Sequence, residues 1–240
     1  MSPMCGRYRL GRGKQAFVKV FGVSRDDFDW DPRYNIAPTD SVPIIRQDSK
    51  QPIRTASLLR WGLIPSWAKD ASVGARMINA RCETAATKPA FREPLARRRC
   101  LVPADGFYEW QKTGKSKQPF CFTLSDESVF AFAGIWDRWR NPAGSWVETF
   151  SILTTTPNAV TADVHDRMPV ILRPDDYDLW LDPGFQNIDG VTTLLKPVDA
   201  KLMKRYPVST RVNAVANDDP QCAEAIQLVA PASGTGTLFT

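Results

Sequence analysis

The stretch "MSPMCGRY" puts a cysteine directly after a methionine, close to the start of the chain. As an internal residue Cys5 is one more thiol, and buried structural cysteine is the usual fate of that side chain. As the first residue of a mature chain it becomes a 1,2-aminothiol. Its α-amine then has an ordinary pKa of about 7.7–8.0 and its thiol one of about 8.5, so a useful fraction of each is unprotonated at neutral pH. Such a pair condenses with an aldehyde: the amine forms a Schiff base, and the thiol closes a five-membered thiazolidine ring. An internal cysteine cannot do this, because its nitrogen is an amide.

Other groups could manage the protons of such a reaction. His165, in "DVHDRMPVIL", is the only histidine, so any step needing an imidazole depends on it; a lone histidine serves equally as a structural hydrogen-bonder. In "ADGFYEWQK", Glu109 lies among Phe107, Tyr108 and Trp110. There it is either desolvated toward a neutral pKa or turned to solvent on an alternating strand. In "MINARCETAATKPAF", Asn79 and Arg81 are one residue apart and share a face if the segment is extended. Asn offers donor and acceptor and Arg a fork suited to phosphate, or the two simply cap a following helix. "RWGLIPSWAKD" reads as an exposed loop between Trp61 and Trp67, at least one of which belongs in a core; an exposed indole beside cations is what unpaired bases stack upon. "RYNIAP" (33–38) reads as a similar loop, and "RRR" (97–99) as phosphate contacts or a solvated turn.

Composition fits one soluble domain. Of 240 residues, 43% are hydrophobic and 24% charged. There is no apolar run of membrane-spanning length, and the first 20 residues lack the apolar core of a secretory signal, so a cytoplasmic location is expected. Five dispersed cysteines without a C-x-x-C read as free thiols in a reducing compartment, and one histidine makes a zinc site hard to assemble. No metal, cofactor or membrane partner is expected. The charge is uneven: residues 1–120 hold 22 Lys/Arg against 11 Asp/Glu, while residues 121–240 hold 9 against 15, within a net charge of +5. The basic half suits a polyanion such as nucleic acid or forms a solvated basic surface.

The elements that must position these residues are mostly strands. Nineteen prolines cut the chain short. Strands are predicted at 119–124, 129–136 and 146–154, the last two forming a hairpin, at 99–112 in two pieces broken at Asp105-Gly106, and at 167–172. Helices are predicted at 14–21, 84–96, 175–182, 199–204 and 221–227. The sum is an α+β fold: one β-rich domain with a large antiparallel, barrel-like sheet and peripheral helices. The domain is expected over 5–228, with 1–4 as a leader or mis-assigned start and 229–240 as a flexible tail.

The motifs "MCGRY", "RYNIAP", "RWGLIPSWAKD", "INARCETA", "ADGFYEW" and "HDRMP", in this order from Cys5 to about Asn217, closely resemble the SOS-response-associated peptidase (SRAP) family, the abasic-site processing proteins. The resemblance implies covalent capture of abasic sites in single-stranded DNA, whose opened deoxyribose supplies the aldehyde. It assigns Cys5 as nucleophile, Asn79 to orient it, Glu109 as acid/base near the amine, and His165 to assist sugar opening and Schiff-base formation. Arg81 would grip the DNA backbone. Arg7, Pro38, Trp67, Trp110 and Arg167 would line the DNA groove. It further implies lyase activity through the Schiff base, a thiol autopeptidase that trims residues before the cysteine, a monomer, and association with the nucleoid on DNA damage.

The family pattern begins at Met-Cys, whereas this chain has Met-Ser-Pro ahead of it. Either Met4 is the true start, or residues 1–4 are removed by the protein itself, or they persist and block the amine. Two other functions fit parts of the pattern: a thiol peptidase using Cys5, Glu109 and His165 on proteins, and a non-catalytic module that binds single-stranded DNA damage.

Overall fold

A computed structural model of the chain describes residues 6–48, 51–114 and 116–228. In chain order the elements are β1 (Tyr8–Leu10), α1 (Lys14–Val20), β2 (Val23–Asp26), β3 (Arg33–Ile36), β4 (Ser41–Gln47), β5 (Arg54–Trp61), β6 (Asn79–Arg81), α2 (Cys82–Ala85) and α3 (Arg92–Arg97). There follow β7 (Arg99–Ala104), β8 (Gly106–Thr113), β9 (Ser116–Leu124), β10 (Phe130–Arg140), β11 (Trp146–Thr155), β12 (Met168–Pro169), β13 (Ile171–Leu172), α4 (Tyr177–Leu181), α5 (Ile188–Thr192) and β14 (Met203–Pro207). No described helix is long and apolar enough to cross a membrane.

Five strands close into a barrel. β11 pairs β10, β10 pairs β7, β7 pairs β4 and β4 pairs β5, all antiparallel; β5 then returns to β11 in parallel. A ring of five strands cannot be antiparallel throughout, because direction must alternate around it, so one parallel seam is obligatory. Gly62, with φ +127°, sits where β5 leaves this seam. A Cβ there would lie 2.7 Å from the Gly74 carbonyl oxygen, inside contact distance, so only glycine permits this approach of two backbones.

A second sheet, in the order β14-β9-β8-β1-β3, packs on the barrel. Alternation along its strands separates two environments. Tyr8, Leu10, Phe107 and Phe122 join the main core, where Phe107 stacks on Phe122 at 4.9 Å and Tyr8 meets Trp61 edge-on at 5.3 Å. Burying each such ring contributes roughly 1.5–3 kcal/mol. Tyr108 and Cys121 face the other way, onto a small cluster with Val208, Val212 and Cys222 from the C-terminal loops.

The fold is α+β and β-rich, as the sequence predicted, with the 129–154 hairpin and the break at Asp105 in place. Asp105 breaks the run because its buried carboxylate turns inward, accepting from the Arg12 amide and pairing with Arg9 at 3.1 Å. Five expectations need correction. The helix predicted at 84–96 is two short helices, since Pro89 cannot continue the first. The helix at 199–204 is a single 3-10 turn leading into β14, and that at 221–227 is a 3-10 turn over Pro220–Ala223. "RYNIAP" begins as strand β3 rather than a loop. The loop expected to expose Gly62–Pro65 is buried, and the chain surfaces only at Ser66 and Trp67. The expected leader (1–4) and tail (229–240) lie outside the described residues.

Candidate nucleic-acid interface

Strand β6 lies parallel to β11, with Asn79 opposite Ile152 and Arg81 opposite Thr154. Ala80 between them is buried at 0% exposure, so Asn79 and Arg81 share the outward face, as their spacing requires. They border a groove of about 400 Å³ lined also by Trp67, Arg76 and Lys88, with Met77, Ala90 and Phe91 completing its wall. Trp67 is 63% exposed, whereas Trp61 is fully buried and donates to the Ile78 carbonyl at 2.8 Å. The loop that presents Trp67 is fixed from both sides: the Ser66 amide donates to Asp137 at 2.9 Å, and Trp139 donates to the Ala68 carbonyl at 2.6 Å. The exposed side chains of Arg76, Arg81 and Lys88 have no ion-pair partner among the described residues. Three unneutralised cations beside a rigid exposed indole suit a single strand, with phosphates on the cations and a base on the ring.

Arg167 meets the same β11 residue that Arg81 pairs with, Thr154, and is engaged internally. Its guanidinium is bidentate to Glu83 at 2.5 and 2.8 Å and donates to the Thr154 carbonyl at 2.6 Å. The clamp ties α2 to β11, and the hydrogen bonds from Arg167 hold the Glu83 carboxyl below its ordinary range. His165 lies two residues earlier. Its Nδ1 accepts the Arg167 amide at 3.1 Å, and Asp166 Oδ1 lies 3.0 Å from the same nitrogen. The amide contact requires a lone pair on Nδ1, so the neutral ring carries its proton on Nε2.

Glu109 is buried at 3% exposure on β8, opposite Phe120. It shares a strand face with Gln111, and Gln111 donates to the Asp163 carbonyl at 3.2 Å. Arg205 covers the Phe120 ring at 5.2 Å and grips Asp163 through a second bond of 2.7 Å. The turn carrying His165 is thereby fastened along the Glu109 side of β8. Trp110 faces the opposite way, half-buried against the C-terminal cluster, with its Nε1 donating to Asn213 at 2.7 Å.

Arg7 is also on that far side. It donates through one nitrogen to Asn35 Oδ1 and the Val212 carbonyl, both at 2.7 Å, and burial lowers its pKa. Pro38 is half-buried in the turn after β3, where the Thr39 amide donates to the Trp61 carbonyl at 2.9 Å. Cys5 lies outside the described residues. Gly6, which follows it, can be placed by register: Tyr8 pairs Phe107, Arg9 pairs Gly106, and the Tyr108 amide donates to the Arg7 carbonyl at 3.0 Å. Continued by one step, this ladder sets Gly6 opposite Glu109.

The structure therefore gathers Asn79, Arg81 and Trp67 around one groove, with His165 and Arg167 at the adjoining β11–β12 junction, and fastens the His165 turn through Gln111 to the strand face that carries Glu109. Arg7 and Trp110 belong to the C-terminal clasp. The "RRR" run adds nothing to the groove: Arg99 is buried, Arg98 faces Asp137 at 3.3 Å and Arg97 faces Glu93 at 3.5 Å. Sequence reasoning missed Arg76 and Lys88. The only signal for Arg76 was its nearness to Asn79. Lys88, within a predicted helix, gave none. Among the described residues no group of histidine, cysteine and carboxylate side chains could hold a metal ion.

The chain is similar to known proteins over most of its length. The model of the SOS response associated peptidase (SRAP) family matches residues 4–215. The abasic site processing protein YoqW of Bacillus subtilis is 41% identical over 225 residues, covering 92% of this chain and 100% of that protein. The abasic site processing protein HMCES of Gallus gallus is 34% identical over 230 residues, covering 83% of this chain and 68% of its own. A crystal structure of a protein from Bacteroides thetaiotaomicron superimposes with a TM-score of 0.84 at 30% identity, covering 93% of this chain and 100% of that one. A match over most of the length, in sequence and in fold, makes this chain a member of the SOS response associated peptidase family.

Proposed function

We propose that this protein processes abasic sites in DNA, capturing them covalently in single strands through a thiazolidine formed by Cys5. The observation that carries the reading is the groove in which Arg76, Arg81 and Lys88 stand unneutralised around Trp67 and open onto Asn79. The relatives named for abasic-site processing supply the lesion class, and the ladder that sets Gly6 opposite Glu109 supplies the proximity of the chain start to an acid/base group.

Arg76, Arg81 and Lys88 hold phosphates, and Trp67 with Pro38 wedges beside the lesion. His165 protonates the ring oxygen as the deoxyribose opens to its aldehyde. The Cys5 α-amine then adds to that carbonyl, and Glu109 delivers the proton with which the hydroxyl leaves as water. Asn79 orients the cysteine while the thiol adds to the imine carbon, its proton passing to nitrogen. The balance is one aldehyde and one aminothiol giving a thiazolidine and water. Arg167 serves by fixing the His165 turn. The same Schiff base also permits β-elimination, giving a lyase side reaction. All of this needs a free α-amine, so the mature chain must begin at Cys5, through initiation at Met4 or autoproteolysis.

The test is incubation with a uracil-containing oligonucleotide treated with uracil glycosylase, read on a denaturing gel beside intact-mass measurement. The expected result is a shifted band with the summed mass of protein and oligonucleotide less one water, lost in Cys5→Ala. Glu109→Gln and His165→Ala should slow adduct formation while keeping DNA binding. No covalent band from a chain beginning at Cys5 would sink the reading and leave a non-catalytic binding module. Peptidase activity that survives extension of the N-terminus would favour a thiol peptidase.

A further inference from the structure

We propose that Asn35 is a positioning residue that sets the leading end of the chain against the site, acting through Arg7; it rests on the reading above for its consequence but not for its geometry. Asn35 is fully buried. Its Oδ1 accepts from Arg7 at 2.7 Å, and its Nδ2 faces the carbonyls of Val212, Ala214 and Asn217 at 3.2, 3.0 and 2.7 Å. The amide therefore has one permitted orientation: turned over, its N–H groups would face a guanidinium and its oxygen three carbonyls. Asp218 locks the same node from the backbone side, accepting the Tyr34 and Asn35 amides at 2.5 and 2.8 Å and pairing with Arg33.

β1 has only three residues, too few to hold its own leading end against fraying. Beyond Tyr8, the Tyr108 amide bond to the Arg7 carbonyl is the ladder contact at that end. The lateral bonds of Arg7 to Asn35 and Val212 hold it from the side. Arg7 is two residues from Cys5 in sequence. A guanidinium spent on these bonds works as a spacer for the reacting end, not as a grip on phosphate. Near-attack geometry is sensitive to shifts of about 1 Å, which cost on the order of 100-fold, so loosening this staple affects reaction more than binding.

The experiment compares Arg7→Lys and Asn35→Ala with the unmodified protein. Lysine keeps the charge but loses the fixed planar fork, whose second nitrogen also faces the Asn213 carbonyl at 3.4 Å, and a point charge on a flexible stem does not hold the same geometry. Amide hydrogen exchange is read at Tyr108 and along the β8–β9 ladder, and single-turnover crosslinking is followed against DNA concentration. The expected result is exchange at Tyr108 at least ~10-fold faster in both variants with β8–β9 protection kept, a maximal crosslinking rate lowered at least ~10-fold with half-saturation within ~2-fold, and no further loss in the double variant. Unchanged exchange at Tyr108, or a full crosslinking rate in Arg7→Lys, overturns the proposal. So does a loss confined to half-saturation, which would return Arg7 to DNA contact. If Asn35→Ala does not fold, Arg7→Lys carries the test. Faster exchange in the variants of a protein that forms no adduct would sink the capture reading while leaving the staple in place.

Discussion

At the corner beneath α3 and α4, Arg99 is 4% exposed and donates to five carbonyls, those of Leu95, Ala96, Trp180, Asp182 and Phe185, at 2.5–3.0 Å. In the groove around Trp67, the cations of Arg76, Arg81 and Lys88 point to solvent without an ion pair among the described residues. Arg99 uses its whole guanidinium to satisfy the C-terminal ends of two helices, where orphan carbonyls and the helix dipole favour a cation. Its charge is consumed by the fold. The groove cations contribute little to folding, since exposed charges rarely do, and are available to a polyanion. The contrast separates arginines that hold the structure from those that can bind, and nothing in residue type distinguishes them.

The sharpest way to break this contrast is to exchange the costs. Arg99→Met should destabilise the protein by at least about 3 kcal/mol, because it leaves buried carbonyls without donors. Urea unfolding measures it; a loss below about 1 kcal/mol would mean the corner can be rebuilt with water. Trp67→Ala should leave stability within about 0.5 kcal/mol and weaken single-strand binding by about 1–3 kcal/mol, the value of one stacked base. Fluorescence anisotropy with a short oligonucleotide measures that, and unchanged affinity would take Trp67 out of the interface.

Smaller effects sharpen it further. Arg81→Ala and Lys88→Ala should each reduce the slope of log affinity against log salt by about 1, with little change in melting temperature. An unchanged slope would place the DNA elsewhere. The Arg167–Glu83 clamp should appear as pH dependence. Glu83 has a folded pKa lowered from 4.5, first by its hydrogen bonds to Arg167. Its contribution is therefore present above about pH 4.5 and is lost as pH falls through the lower folded value. Glu83→Gln should flatten stability against pH on the acid side, modestly, because the carboxylate is 47% exposed. A curve parallel to that of the unmodified protein would show that the clamp does not carry this dependence.

Much of the fold was legible because strand signals here are local. The aromatic, β-branched runs at 119–124, 129–136 and 146–154 became β9, β10 and β11, and Asp105-Gly106 broke its run as expected. The site was legible in part. Asn79 and Arg81 share a face because alternation in a strand is a property of the backbone. Where errors occurred, non-local geometry decided. The Gly62–Pro65 segment looked like a surface loop and is buried because Gly62 and Gly74 bring two backbones together across 12 residues. The 199–204 segment looked helical and became a 3-10 turn leading into β14, because the edge of β9 was open to pair with that strand.

The sequence by itself determined the chemical inventory: one histidine, a cysteine preceded by methionine, a basic first half, and alternating runs that must form sheets. These depend on residue type and near-neighbour spacing, which the chain carries without folding. Only the tertiary structure decided which charges are spent and which are open. That depends on where carbonyls and carboxylates from distant segments come to rest: Thr154 and Glu83 against Arg167, Val212 and Asn35 against Arg7, five carbonyls against Arg99, and none of these against Arg76, Arg81 or Lys88. A hydrogen bond is made at under about 3.2 Å, and no spacing along the chain announces one that spans up to 205 residues.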